Sequence, residues 1–124
     1  MQPSGNSAAL SLTKAKRLTR PVEFAQVQSE GITHRGRLLA LGVLTKKEAK
    51  LFRVGFVTSK RVGGAVVRNR LRRRLREIVR TQQGMVRKDV WLVVIARPAA
   101  ASTSYQALKD EWLRLAERAS ILAP

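Results

Sequence analysis

The chain has 124 residues, with 25 lysines and arginines against 8 acidic residues, so its formal net charge is +17. Its hydrophobic content of 44% is typical of a chain that folds around a core, and its length predicts one domain. The lack of cysteine excludes disulfides and thiol chemistry, and the lone histidine, His34, excludes multi-histidine metal sites. No apolar run is long enough for a membrane span or a signal peptide, so we expect a cytoplasmic protein that does not bind membranes.

The positive charge is concentrated in one segment of the chain. Residues 60–80 contain nine basic residues and one acid, whereas residues 104–124 contain three of each sign. Arginine outnumbers lysine 17 to 8, and the planar guanidinium group matches the geometry of phosphate oxygens. Nucleic acid is therefore the favoured partner, and an anionic membrane surface is the weaker alternative, because aromatic residues make up only 5% of the chain.

The first half of the chain predicts a tail, a helix and two strands. The small polar residues 1–13 predict a flexible tail, and residues 14–124 predict a single nucleic-acid-binding domain. Pro21 suits a first helical turn, and a short helix is expected from Val22 to Glu30, with Gly31 as its C-cap.

Two apolar segments follow this helix and predict a pair of strands. Residues 37–44 form an apolar run, and residues 51–59 alternate in a way that indicates one buried face. The charged residues 45–50 between them predict a turn. We expect the two strands to form an antiparallel hairpin.

The second half predicts a helix, a strand and a helix. Gly63 and Gly64 interrupt the strand pattern, and the 3.6-residue period of residues 66–81 predicts an amphipathic helix. Residues 89–96 predict a strand buried on both faces, and Ser104 suits the N-cap of a final helix from Tyr105 to Leu122. The order α-β-β-(β)-α-β-α predicts an α+β two-layer sandwich in which a small mixed sheet packs against helices.

The helix predicted over residues 66–81 separates apolar from basic residues. One arc carries the aliphatic residues Val67, Leu71, Leu75, Ile78 and Val79. The opposite side carries Asn69, Arg73, Arg76 and Arg80, with Arg68 and Arg72 along one edge and Arg70 and Arg74 along the other. Such rows of guanidinium groups suit the repeat of nucleic-acid phosphates, although a solvated basic face is the alternative.

Residues 60–76 resemble the signature of the bacterial ribonuclease P protein subunit family. Every position of that signature is matched, by Val62, Ala65, Arg68, Asn69, Arg70, Leu71, Arg72, Arg73, Leu75 and Arg76. The resemblance extends over residues 14–120. It implies a protein that needs no protein partner and that assists a catalytic RNA in removing the 5′ leader of precursor tRNA. The RNA performs this hydrolysis with Mg²⁺, and the resemblance identifies no ligands for that ion on the protein.

The resemblance also implies a fold and two binding surfaces. The fold is an α/β sandwich with a left-handed crossover through the arginine-rich helix. The residues expected to contact the catalytic RNA are Lys60, Arg61, Arg68, Asn69, Arg70, Arg72, Arg73, Arg76 and Arg80. A cleft between the first helix and the sheet is expected to bind the leader through Arg17, Phe24 and Gln28. Many members carry a second aromatic where this chain has Gln28, and core packing is the alternative role for Phe24.

The acidic residues predict that the protein alone is not a catalyst. A metal-dependent nuclease needs clustered carboxylates, and the eight acids of this chain are scattered. Asp110 and Glu111 are adjacent on the last helix, where ion pairs along the helix surface, such as Asp110 with Arg114, are expected. A general RNA- or DNA-binding protein of ribosomal type remains the alternative function.

Overall fold

The computed structural model describes residues 12–123, so residues 1–11 of the predicted tail lie outside the described residues. Leu12, the first described residue, is buried in the core. The helices are α1 (Pro21–Glu30), α2 (Ala65–Gln82) and α3 (Tyr105–Arg118). The strands are β1 (Ile32–Arg35), β2 (Leu39–Thr45), β3 (Arg53–Val57) and β4 (Val90–Ala96). The predicted helices and the strands β2, β3 and β4 are confirmed, and β1 is a further strand that precedes them.

The four strands form one mixed sheet in the order β1-β2-β4-β3. β1 pairs antiparallel with β2, and β2 pairs antiparallel with β4. β3 pairs with the other edge of β4 in the parallel direction, with Val54 opposite Leu92 and Phe56 opposite Val94. The connection between the two parallel strands runs through α2. The mixed sheet predicted from the sequence is confirmed, and the hand of the crossover stays a prediction.

The predicted hairpin between the second and third apolar segments is wrong. β2 and β3 are not neighbours, because β4 lies between them. β4 is apolar along its whole length, so a central position gives it a strand on each side and buries it best. β2 forms its hairpin instead with β1, where Arg35 lies opposite Ala40.

The two faces of the sheet are covered differently. α2 and α3 cover one face and enclose the main core, in which Leu71, Leu75 and Trp112 are fully buried. α1 lies on the other face, where Val27 packs against Val93 in a smaller cluster. The two-layer sandwich of the prediction therefore consists of the sheet with α2 and α3, and α1 adds a partial third layer.

The strand β4 is not buried equally on its two faces. The side chains that face the main core, including Leu92 and Val94, are inaccessible to solvent. On the other face Val93 is buried under α1, but Trp91 and Ile95 on either side of it are only half-buried. The prediction of a strand buried on both faces is therefore right only beneath α1. The uncovered ends of this face leave room for binding sites.

The last helix is shorter than predicted. α3 begins after Ser104, whose Oγ accepts a hydrogen bond from the Ala107 amide at 3.1 Å, as expected for an N-cap. It ends at Arg118 instead of Leu122. Beyond it Ser120 adopts a left-handed conformation with φ of 58°, and Leu122 then pairs with Val86.

The carboxylate of Glu111 is buried and fastens the turn between β1 and β2. Its Oε2 accepts hydrogen bonds from the amides of Leu38 and Leu39, both at 2.6 Å. A Cβ at Gly36 would come within 2.6 Å of the same oxygen, so a larger residue there would displace the carboxylate. An ion pair forms along α3 as predicted, but Arg114 pairs with Glu111 at 3.9 Å, and Asp110 accepts a hydrogen bond from Gln106 instead.

Replacement of Glu111 by alanine should destabilise the fold. The change leaves two buried amides without an acceptor, so we expect the free energy of unfolding to fall by about 3 kcal/mol. Urea unfolding of the wild-type and E111A proteins measures this. The exposed neighbour variant Glu117→Ala is the control and should change stability by less than about 0.5 kcal/mol. Equal effects of the two variants would contradict the role given to Glu111.

Candidate nucleic-acid interface

A short turn aims α2 away from β3. Lys60–Val62 forms a 3₁₀ turn, in which Ser59 Oγ accepts a hydrogen bond from the Arg61 amide and Val62 is buried. Gly63 then adopts φ of 146°, a conformation that L side chains rarely adopt, and the helix begins at Ala65. The two glycines singled out in the sequence thus mark the sharp turn out of the strand.

The amphipathic pattern predicted for α2 is confirmed. Leu71, Leu75, Ile78 and Val79 are buried against the sheet. The opposite face exposes Asn69, Arg73 and Arg76, and the preceding turn exposes Lys60 and Arg61. Among residues 12–123, the charged side chains of Lys60, Arg61, Arg73 and Arg76 form none of the observed hydrogen bonds or salt bridges. The surface therefore presents four positive charges that have no partner among the described residues, together with one amide side chain.

Arg72 is held in place at the edge of this surface. Its Nη2 donates to Thr58 Oγ1 at 2.7 Å, and its Nη1 donates to Asn69 Oδ1 at 3.1 Å. Because guanidinium only donates, the Asn69 oxygen must face Arg72. The Asn69 amide nitrogen is therefore available as a donor to a ligand.

Three other arginines of α2 contact the protein itself. Arg70 and Arg74 approach backbone carbonyls of the segment before α3, those of Ala101 at 3.5 Å and Thr103 at 3.4 Å. Arg80 forms a two-pronged ion pair with Glu77, which lowers the pKa of that carboxyl. Arg68 is half-buried. The predicted RNA-binding set therefore divides into exposed cations and cations with internal contacts, a division that the sequence does not reveal.

A cleft of about 560 Å³ lies between α1 and the sheet, on the face opposite α2. Phe24 and Gln28 form its α1 wall, and its floor includes Val93 and Ile95 of β4. Phe24 lies directly over Gly55, where a Cβ would overlap the ring. Phe24 is half-buried, so it both packs between α1 and the sheet and lines the cleft.

Arg17 lies outside this cleft, in a smaller groove beside it. This groove, of about 220 Å³, runs along the edge of β3 and is also lined by Phe24, Arg72 and Arg76. The Arg17 side chain donates to the Leu12 carbonyl at 3.1 Å. The structure therefore brings Arg17 together with the edge of the α2 surface and separates it from Gln28.

The cleft also contains functional candidates that the sequence analysis missed. Thr33 and Arg35 reach it from β1, and Arg97 reaches it from the end of β4. The signal for β1 was weak, since Ile32–Arg35 has only four residues. Gly31 and Gly36 could have indicated this strand, because glycines often mark the two ends of a short strand.

An ion pair fixes the start of α1 to the sheet. Arg53 Nη1 lies 2.5 Å from Glu23 Oε2, and Glu23 Oε1 accepts the amides of Thr19 and Arg20 at 3.1 and 3.0 Å. Burial alone would raise the pKa of Glu23, but these amides and the Arg53 guanidinium outweigh it. The pKa of Glu23 therefore lies below its ordinary value.

Trp91 extends this anchor across the sheet. The Arg53 guanidinium lies over the Trp91 ring, 5.2 Å from its centroid, and Lys46 Nζ lies 4.4 Å from the same centroid. Cations over an indole face are attracted by its quadrupole. Arg53 is thereby held from two sides, by Glu23 and by Trp91, and α1 is held with it.

Two classes of site are not found in the described part of the chain. No group of three histidine, cysteine or acidic side chains within residues 12–123 could hold a metal ion. The donor set therefore does not fit a magnesium ion bound by the protein alone. None of the helices described above is long and apolar enough to cross a membrane.

The fold and its surfaces define a small basic α+β protein with an arginine-rich helix on one side of the sheet and an open cleft on the other. The ribonuclease P family model matches residues 12–120. The chain belongs to the ribonuclease P protein family, the protein components of a tRNA-processing ribonucleoprotein.

Relatives and solved structures agree with this assignment. The ribonuclease P protein component of Symbiobacterium thermophilum is 39% identical over 90% of this chain and 96% of its own. That of Dehalococcoides mccartyi is 41% identical over 90% and 91%. The Staphylococcus aureus protein structure has a TM-score of 0.82 at 25% identity, covering 88% of this chain and 99% of its own. The Thermotoga maritima structure has a TM-score of 0.74 at 25% identity, covering 82% and 96%.

The Glu23 anchor predicts a pH-dependent stability. A carboxyl whose pKa is lowered by folding stabilises the fold above its ordinary pKa of about 4.3, and the stabilisation is lost as the pH falls through the lower folded-state pKa. We therefore expect Glu23→Gln to cost about 2 kcal/mol at pH 7 and progressively less in acid. Urea unfolding at pH 7 and in a series below pH 4 measures the difference.

The exposed Glu48 provides a matched control for this measurement. Glu48→Gln removes the same charge without removing a described hydrogen bond, so its effect should be small at both ends of the pH series. A cost of Glu23→Gln that stays constant from neutral to acid pH would contradict the anchor.

Proposed function

We propose that this protein binds the catalytic RNA of ribonuclease P through α2 and the 5′ leader of precursor tRNA through the α1 cleft. In this role it assists Mg²⁺-dependent removal of the leader in the cytoplasm. The observation that carries the proposal is the separation of two surfaces by the sheet. One is a basic helix face with exposed cations, and the other is a half-apolar cleft on the opposite side.

The α2 face suits a folded RNA backbone. The helix face and the turn before it expose four cations, Lys60, Arg61, Arg73 and Arg76. Binding of phosphates to these side chains would break none of the described ion pairs within the protein. Asn69 supplies a directional donor among them, with its oxygen already engaged by Arg72. A fixed amide between cations can select one arrangement of sugar or base, which charge alone cannot do.

The α1 cleft suits a single strand. Phe24 presents an aromatic surface, Gln28 and Thr33 offer hydrogen bonds, and Arg35 and Arg97 offer positive charge. Stacking on an aromatic ring tolerates every base, which a leader of varying sequence requires. Because Gln28 replaces an aromatic, this cleft depends more on charge and hydrogen bonds than on stacking.

The protein contributes binding and positioning to the reaction. Its described carboxylates are dispersed or engaged, so the RNA is assigned the hydrolysis and the metal chemistry. With the catalytic RNA on one side of the sheet and the leader on the other, the protein holds substrate and ribozyme in one geometry. A protein without the RNA is expected to be inactive.

Loss of two exposed arginines should weaken assembly in a salt-dependent way. We expect Arg73→Ala with Arg76→Ala to lower the slope of log affinity against log salt by about one unit per lost phosphate contact. Filter binding of the protein to the catalytic RNA across a salt series measures the slope. The control Lys47→Ala with Lys88→Ala removes the same charge from exposed positions away from α2. An unchanged slope in the α2 variant would refute its assigned contact.

Asn69 tests whether recognition is specific. Asn69→Ala should weaken assembly with the catalytic RNA more than binding to an unrelated RNA of similar size, because phosphate contacts remain. Competition binding with the two RNAs measures the ratio. Equal losses would favour the alternative, a general RNA-binding protein of ribosomal type.

A second aromatic should strengthen leader binding. Gln28→Phe places a ring one helical turn from Phe24 on the cleft wall, and a stacked base contributes about 1–3 kcal/mol. We therefore expect the holoenzyme to bind precursor tRNA at least about fivefold more tightly, with mature tRNA unaffected. Ala25→Phe, at an exposed position of α1 outside the cleft lining, is the matched control. Equal gains from both variants would contradict a leader site beside residue 28.

A further inference from the structure

Five arginines meet at the end of the sheet where the α1 cleft opens. This distal arginine patch consists of Arg35, Arg37, Arg97, Arg114 and Arg118, and all five residues are exposed. They come from the β1–β2 turn, the end of β4 and the α3 helix. The sequence scatters them, and the segment around α3 is electrically neutral. Only the fold reveals the cluster.

Direct contacts place Arg97 and Arg118 against the turn that follows Arg35. Arg97 Nη1 donates to the Gly36 carbonyl at 3.0 Å, and Arg118 Nη1 donates to the Arg35 carbonyl at 3.2 Å. Arg37 belongs to the same turn and is exposed. The patch is thus built around a turn that Glu111 fastens from below.

The acids near the patch all lie on α3, and the arginines from the turn and from the end of β4 have none beside them among the described salt bridges. Arg114 Nη2 lies 3.9 Å from Glu111 Oε1. Among the described salt bridges, this is the one that involves an arginine of the patch. Glu111 is buried and already accepts two amides. Asp110 and Glu117 lie one helical turn before and after Arg114 on α3 and offset part of its charge, so the unbalanced positive charge is that of Arg35, Arg37, Arg97 and Arg118. A polyanion is therefore the complementary ligand.

We infer that the distal arginine patch binds the phosphodiester backbone of the leader nucleotides that extend beyond the α1 cleft. Arg35 and Arg97 belong to both surfaces, so a strand that leaves the cleft meets the patch without a gap. Arg37 and Arg114 continue the positive charge outward. The inference rests on the proposed leader function of the cleft and extends the substrate contact along the strand.

The test compares two leader lengths in the holoenzyme assembled from the full chain and the catalytic RNA. Precursors with leaders of about 4 and about 15 nucleotides bracket the sizes of single-strand sites in small domains. The variant is Arg37→Gln with Arg114→Gln, since neither side chain donates to the backbone of the turn among the described hydrogen bonds. The control, Lys47→Gln with Lys88→Gln, removes equal charge at the opposite end of β2 and β4.

The expected result is a loss confined to the long leader. The patch variant should bind the long-leader precursor about fivefold to tenfold more weakly, with the salt slope reduced by about 0.7 per lost contact. Binding of the short-leader precursor and the urea midpoint of the protein should not change. The single variant Arg37→Gln, at an exposed turn, should show part of the same loss.

Three results would overturn the inference. Equal losses on both precursors, with weaker assembly, would assign the patch to the catalytic RNA. A loss no larger than that of the lysine control would make the patch a solvated surface. A wild-type holoenzyme that binds both precursors and mature tRNA equally would refute the leader function of the cleft itself, which separates that failure from a failure of the patch alone.

Discussion

The parallel pairing of β3 with β4 is the constraint on which the rest of the structure depends. Parallel neighbours cannot be joined by a tight turn, so the chain must cross one face of the sheet between them. The crossing segment is α2, and its aliphatic stripe must face the sheet to be buried. Its arginines are then forced outward. The basic surface is thus a consequence of the topology as much as of the arginine content.

The same pairing also determines which parts of the opposite face of the sheet stay open for binding. β4 occupies the centre of the sheet, and α1 covers only the middle of its second face, so Trp91 and Ile95 stay half-buried on either side. One uncovered end forms the cleft with Arg35 and Arg97. The other end holds Arg53 between Glu23 and Trp91, which anchors α1. An open cleft and a fixed cleft wall therefore arise from one partly covered strand.

Local patterns in the sequence predicted the three helices and three of the four strands, whereas contacts between distant residues were not predicted. The period of residues 66–81 was decisive because buried and exposed positions of a long helix repeat along the chain. The partner of β2 was mispredicted because strand order depends on residues some 50 positions away. The hydrogen bonds that Glu111 accepts from two amides were not predicted for the same reason, since those amides lie 72 and 73 residues away. The division of the arginines likewise depends on Thr58, Ala101 and Thr103, which the helix pattern does not include.

The central claim is that this protein supplies binding while an RNA supplies the chemistry, and reconstituted cleavage at low magnesium tests it most directly. Precursor tRNA is incubated with the protein, with the catalytic RNA, and with both, and release of the 5′ leader is followed over time. The account predicts rapid cleavage only when both are present. Cleavage by the protein alone, or no stimulation of the RNA by the protein, would contradict it.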